Sequence, residues 1–169
     1  MKVLYSTLTR LHRQELEETI VYSDEQISSI ISLIRMSPVK VKVFLDEADG
    51  IVHANFKIKV DLVLECAYSL EEVDYPLDFE DEIDFLFVDD ELKQEDETLI
   101  YIDSNTLELE PYILGLIITE IPSRVIKEGA TLPRGGKGYE VITEEEYYER
   151  HEENVDPRFA GLDDFDLDE

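Results

Sequence analysis

Ala54-Asn55-Phe56-Lys57-Ile58-Lys59-Val60-Asp61-Leu62-Val63-Leu64-Glu65-Cys66 is the stretch on which the fold turns. Ala54, Phe56, Ile58, Val60, Leu62, Leu64 and Cys66 share one parity, while Asn55, Lys57, Lys59, Asp61 and Glu65 share the other. Side chains alternate between the two faces of a strand, so this period predicts one long strand with a buried side and a wet side.

The flanking segments repeat the pattern. Val39, Val41, Val43 and Leu45 alternate with Lys40 and Lys42, and Asp46-Glu47-Ala48-Asp49-Gly50 reads as the turn between two strands. Beyond a short connection at Tyr68-Ser69-Leu70, the residues Val73, Tyr75, Leu77, Phe79, Ile83, Phe85 and Phe87 again share a parity. Glu72, Asp74, Asp78, Glu80, Glu82 and Asp84 take the opposite one. An antiparallel hairpin of these two long segments places Lys57 and Lys59 near Glu80 and Asp78, a favourable cross-strand match. Most of the carboxylates are expected to stay unpaired and to form an acidic stripe down an exposed face.

Elsewhere the pattern is shorter. Residues 1–22 suggest a strand from Lys2 to Tyr5, a polar turn or helix around Arg10–Glu15, and a strand from Glu18 to Tyr22. Ser23-Asp24-Glu25-Gln26 has the form of a capping box. Ile27, Ile30, Ile31 and Ile34 follow it at helical spacing, which predicts a helix over 24–35 that ends before Pro38. Asp89–Thr98 reads as an acidic loop, Leu99–Ile102 as a short strand, and Asp103-Ser104-Asn105 as a turn. Pro111 suits the first turn of a helix over 110–121 with Ile113, Leu114, Ile117, Ile118 and Ile121 as its stripe. From Ser123 to Tyr139 the chain loosens and holds four of its seven glycines. Glu144–Glu153 suggests a solvated helix. Asp156-Pro157 suggests an N-cap and first-turn proline for a last short helix over Arg158–Phe165.

The bulk composition sets limits. The chain has 169 residues, 43% hydrophobic and 34% charged, including seven Phe and nine Tyr, which is enough to build a core. No run of about 18 apolar residues indicates a membrane helix, and Met1-Lys2-Val3-Leu4-Tyr5 lacks the apolar region of a secretory signal. One cysteine allows no internal disulfide framework. A cytoplasmic protein is the expectation. Net charge is −27, from 42 acidic and 15 basic residues. Residues 1–60 balance at eight of each, so residues 61–169 supply the whole excess. Charge of that sign repels phosphate and favours partners with basic surfaces.

No catalytic constellation is evident. His12, His53 and His151 are scattered, His53 falls on the wet side of its strand, and no second His completes a helical zinc motif. Arg134-Gly135-Gly136-Lys137-Gly138 lacks the Ser/Thr that a phosphate loop places after its Lys, and reads as a linker. Cys66 sits on the apolar side, where a buried, inert thiol is the usual outcome. The tract 140–169 is different, with 13 acids, two bases and the apolar Phe159, Leu162, Phe165 and Leu167. Acidic segments with spaced apolar anchors dock on basic, grooved partners and fold there. In the plainer reading, Phe159 and Leu162 fasten the tail to the chain's own domain.

Four blocks in order resemble one family. Leu62-Val63-Leu64-Glu65-Cys66-Ala67-Tyr68-Ser69-Leu70-Glu71 is similar to the YceD-type signature, a strand ending in Cys-x-Arg-Cys-Leu, and the acidic strand Asp78–Phe87 follows it as in that family. Leu107-Glu108-Leu109-Glu110-Pro111-Tyr112 through Ile121-Pro122 resembles the family's next helix. Gly138–Tyr147 and Asp156-Pro157-Arg158-Phe159-Ala160-Gly161-Leu162 resemble its C-terminal blocks in their Gram-positive form. Ser69 replaces the second signature cysteine, Tyr68 stands where Arg is usual, and the later cysteine cluster is missing from 123–140. No metal or thiol role is therefore carried over. The resemblance implies a part in accumulation of 23S ribosomal RNA and in large-subunit biogenesis.

These readings combine into an α+β fold. It has an antiparallel sheet over 39–102, helices near 24–35 and 110–121, one α+β domain over 1–122, and a flexible acidic segment with short helices over 123–169. The expected function is a non-catalytic factor that binds a basic ribosomal protein or a large-subunit precursor particle. Its contacts would be Asp78, Glu80, Glu82 and Asp84 on the strand and Asp156, Pro157, Arg158, Phe159 and Leu162 in the tail. Direct RNA contact through Lys40, Lys42, Lys57 and Lys59 is the weaker reading. No cofactor, metal, membrane or small-molecule substrate is expected. The competing readings are a hydrolase or nuclease using carboxylate-bound Mg²⁺, and a generic acidic adaptor.

Overall fold

The longest buried row in the molecule belongs to strand β5 (Ile51–Glu65), where Val52, Ala54, Phe56, Ile58, Val60, Leu62 and Leu64 are all buried. The computed structural model describes residues 1–87, 98–133 and 135–151. Strand β4 (Val39–Ala48) precedes β5 and strand β6 (Glu72–Phe87) follows it, both antiparallel to it. The β4–β5 turn is tighter than the sequence suggests. Pairing continues to Ala48 and Ile51, which leaves Asp49 and Gly50 alone in the loop with φ of 54° and 86°. Two successive residues in the left-handed region suit the right-handed twist of a hairpin, and Asp-Gly is a favoured pair for it.

Before this meander come β1 (Lys2–Leu4), α1 (Tyr5–Leu11), β2 (Arg13–Ile20), α2 (Asp24–Ile27) and β3 (Leu33–Met36). After it come β7 (Leu99–Ile102), β8 (Thr106–Glu108), α3 (Glu110–Glu120) and α4 (Glu144–His151). The larger sheet runs β2-β4-β5-β6-β7, with β3 also paired to β5. β1 and β8 form a separate two-stranded ribbon. The fold is α+β, as expected.

Four sequence expectations change. First, the helix foreseen over 24–35 closes after Ile27, although its capping box of Ser23 and Gln26 is formed. The chain turns at Ser32, with φ of 66°, and becomes β3 along Leu62–Leu64 of β5. β4 pairs β5 only as far as Lys59, so the last turns of β5 need another partner for their backbone groups. That demand outweighs a helical stripe built from β-branched isoleucines, which are only moderate helix formers. Second, β7 joins β6 in parallel, so the sheet is mixed at this edge. Third, the N-terminal helix lies earlier than foreseen and the strand after it is longer, forming the β2 edge beside β4. Fourth, α3 buries Ile113 and Ile117, while Ile118 of the foreseen stripe is 42% exposed.

One side of the sheet carries the core. Leu8 of α1, Val3 and Leu107 of the ribbon, Leu109, and Ile113 and Ile117 of α3 close over the β4 and β5 residues. The Tyr112 ring meets Phe85 edge-on at 4.9 Å, and Tyr5 stacks on Phe87 at 4.3 Å. Past Pro122 the chain is tied back to the end of β5. The Ala67 N–H donates to the Val125 carbonyl at 2.8 Å, and Val125 packs on the core. The other side of the sheet is left open.

Replacing Phe56 by Ala should cost about 3–5 kcal/mol, as for other large core rings. Replacing Gly50 by Ala should cost about 1–2 kcal/mol through backbone strain alone, because nothing lies within 4 Å of the added carbon. Urea unfolding of both variants measures the two effects.

Candidate functional site

The open side of the sheet assembles almost every charged residue singled out on the strands. Its middle column is basic. Lys40 of β4 faces Lys59 of β5, and Lys42 faces Lys57. Like charges directly opposite one another are unfavourable, so this column needs compensation from its neighbours. β6 supplies it on one side, where Lys57 pairs with Glu80 and Lys59 reaches Asp78 at 2.5 Å. β2 supplies it on the other, where Lys42 reaches Glu15 at 2.5 Å. The carboxylate of Glu80 bonds the Lys57 ammonium and raises its pKa above the ordinary lysine value. Such exposed pairs contribute little to stability; their effect here is to neutralise the centre of the face.

Pairing also settles how much of the β6 stripe is free. Glu72 binds Arg35 at 2.6 Å, and Asp84 binds Nδ1 of the exposed His53 at 2.7 Å. With Asp78 and Glu80 already engaged, the stripe expected to be mostly unpaired is mostly paired. The lysines and arginine of neighbouring strands lie within reach of it, which alternation along one strand does not reveal.

The unpaired charge lies at the margins of the face. Glu82 of β6 and Glu17 of β2 have no basic partner among the described residues. Asp61 and Glu65 at the far end of β5, and Asp74 across from them on β6, have none either. Against these five carboxylates stands Lys40, the one strand lysine without an ion pair among the described residues. An open concavity of about 800 Å³ lies over the lysines, with Glu17 and Thr19 on its β2 side. Phe44, 42% exposed, lies beside it with the Lys42 ammonium 4.9 Å from its ring centre.

Sequence reading placed Asp78, Glu80, Glu82 and Asp84 on one face and Lys40, Lys42, Lys57 and Lys59 in one patch, and the structure brings the two sets side by side. The register of Lys57 with Glu80 and of Lys59 with Asp78 is as expected. Asp61, Glu65 and Asp74 were read on the wet side of their strands but not as contacts, and Glu15 and Glu17 were not singled out. The alternation of Glu15 and Glu17 about Leu16 was the available signal for the first two. Asp156, Pro157, Arg158, Phe159 and Leu162 lie outside the described residues, as do the final helix and most of the acidic loop after β6. Among the described residues, no three His, Cys, Asp or Glu side chains cluster as a metal ion would need. No helix among them is long and apolar enough to cross a membrane.

Comparison with known proteins decides the family. The family model described as large ribosomal RNA subunit accumulation protein YceD matches residues 54–166. The chain belongs to the YceD family. It is also similar to the uncharacterized protein YlbN of Bacillus subtilis (strain 168), with 30% identity over 168 residues and 92% of each chain covered. No solved structure matches it. Membership connects this YceD protein with ribosome biogenesis through large-subunit ribosomal RNA.

At the family's signature strand end, the thiol of Cys66 is fully buried. Its sulfur accepts N–H groups from Lys127 at 3.3 Å and from Tyr68 and Ser69 at 3.4 Å. The Lys127 N–H above all, then the Ser69 hydroxyl and N–H, hold the thiol down at about 7 against the burial that pushes it up. The ordinary value is 9.0. Stability contributed by the thiolate is therefore fully present above pH 9 and lost as pH falls through 7. The stability gap between the wild type and Cys66→Ala should accordingly narrow from pH 9 to pH 6 in denaturant titrations. Thiolate absorbance should show a midpoint near 7, with slow alkylation because the sulfur is enclosed.

Proposed function

We propose that this YceD protein supports accumulation of 23S ribosomal RNA as a binding factor rather than a catalyst. It would hold a basic ribosomal protein, or a basic surface of a large-subunit precursor particle, on the open face of its sheet. The observation behind this reading is the set of five carboxylates on that face without a basic partner among the described residues: Glu17, Asp61, Glu65, Asp74 and Glu82. A basic partner would meet them without displacing the pairs that neutralise the centre, and their field would speed its approach.

The ribosomal connection alone would also allow direct contact with RNA. Lys40, the concavity over the lysines and the exposed Phe44 ring beneath the Lys42 ammonium favour that second reading, since cations beside an exposed ring suit a stacked base. Three of the four lysines, however, already have carboxylate partners. A phosphate would have to compete with those partners inside a chain of net charge −27.

The test is affinity capture of the tagged chain from bacterial lysate at moderate salt, with and without RNase. A second bait carries Asp61→Lys, Asp74→Lys and Glu82→Lys. Large-subunit proteins should persist after RNase with the wild type and be lost with the variant. Loss of them on RNase treatment would move the contact to RNA and the lysine groove. A catch free of ribosomal components would sink the reading.

A further inference from the structure

Strand β2 forms one edge of the larger sheet and pairs on one side only, with β4. Which of its backbone groups face outward follows from a single bond. The Glu47 N–H donates to the His12 carbonyl at 2.7 Å, one pair beyond the Arg13–Asp46 register. Bonded and non-bonded pairs alternate along an antiparallel ladder. Gln14, Leu16, Glu18 and Ile20 therefore turn their N–H and C=O groups toward β4, and Arg13, Glu15, Glu17 and Thr19 turn theirs away. Among the described residues, none of these outward groups takes part in a backbone hydrogen bond. The eight residues of this edge span about 26 Å. β7, at the opposite edge, has only four.

A free edge is a template for a further strand, and its side chains set what that strand must carry. Glu15, Glu17 and Thr19 lie on the open face, opposite Phe44, Lys42 and Lys40. Glu17 has no basic partner among the described residues, and Glu15 meets Lys42. A strand added beyond β2 places every second side chain beside these carboxylates. The face already alternates in sign from β6 through the lysine column to β2, and a basic column continues that order. The intervening side chains fall on the other side, beside Leu16, which packs against the core and suits apolar neighbours. A second copy of this chain is a poor occupant. Every antiparallel register that pairs the middle of β2 with itself sets Glu15 or Glu17 opposite one of the same two residues, a like-charge contact.

We propose that the outer edge of β2 is a docking site for an extended segment of a basic partner protein, which joins the sheet as an added strand. Its lysines or arginines lie beside Glu15 and Glu17, and its backbone pairs with Arg13, Glu15, Glu17 and Thr19. This inference rests on the binding role proposed above and adds how the partner attaches. Main-chain bonds supply the grip, and the carboxylates select the charge.

Amide exchange of the full chain, resolved by NMR, tests it with the synthetic peptide Lys-Val-Lys-Val-Lys-Val-Lys. In the free chain, amides of Glu15, Glu17 and Thr19 should exchange at least about tenfold faster than those of Leu16 and Glu18. Saturating peptide should slow the three at least about tenfold, and a counterpart with Glu in place of Lys should not. Thr19→Pro removes one outward donor without changing the charge or the β4 ladder. It should weaken peptide binding at least about fivefold, while Thr19→Ala changes it less than about twofold. Protected amides in β4 and β5 show that each variant is folded. Slow exchange of Glu15, Glu17 and Thr19 in the free chain would overturn the proposal, because the edge is then already covered. Peptide binding that leaves these amides fast would also overturn it, placing the peptide on the open face and leaving the binding role standing. Conversely, capture without ribosomal components, alongside peptide protection of these amides, would remove the ribosomal reading and keep the edge site.

Discussion

The backbone ladder along β5 is the constraint on which the other elements depend. A strand of 15 residues with one side fully buried has to pair its N–H and C=O groups on both edges for its whole length. β6 satisfies one edge without interruption from Ile51 to Glu65. The other edge is shared, with β4 covering the hairpin end and β3 the far end. That division explains why the chain between Ser28 and Met36 forsakes its helical period, and why a bulge interrupts the β3 pairing between Leu33 and Arg35. Ile34, in that irregularity, is 37% exposed.

The same ladder organises the charge. Antiparallel register sets Lys40 against Lys59 and Lys42 against Lys57, an arrangement that two strands alone would disfavour. Only because β2 and β6 place carboxylates on either side does the column become tolerable. The face is a striped one: acid, base, acid. Three of the four central lysines find carboxylates on the flanking strands, which is how a chain of net −27 holds the four together in one column.

Much of this was legible in the residues, and the exceptions have a common cause. The clean alternation from Ala54 to Cys66 and from Val73 to Phe87 fixed the long hairpin and even the Lys57–Glu80 register. Ser23 with Gln26 marked a real capping box, and Pro111 a real helix start. The family, too, was visible in four blocks read in order. What could not be read locally were features decided by distant partners. These include β3, called out of a helix by the unpaired end of β5, and the parallel approach of β7 to β6. The choice of Ile113 and Ile117 over Ile118 as the buried side of α3 belongs with them. On the functional face, the rows of like parity were legible, but which carboxylates remained free depended on Arg35, His53 and Glu15, each on another strand. The exposure of Ile31 was hidden for a similar reason, since its place on a helical stripe implied burial.

The small ribbon of β1 and β8 has a bearing on how the molecule is made. Lys2, Val3 and Leu4 pair with Glu108, Leu107 and Thr106, and the amino group of Met1 is held by Glu110. This ribbon cannot form until partners more than a hundred residues further along the chain are present. The β4–β5–β6 meander, whose contacts are nearly all between neighbours in the chain, is free to form in the meantime. Leu8 of α1 can cover part of its inner face early, but Leu107, Ile113 and Ile117 complete that cover only once they are present. The ribbon therefore ties the two ends of the described core together across the whole meander, and closing the core is a long-range event in the chain.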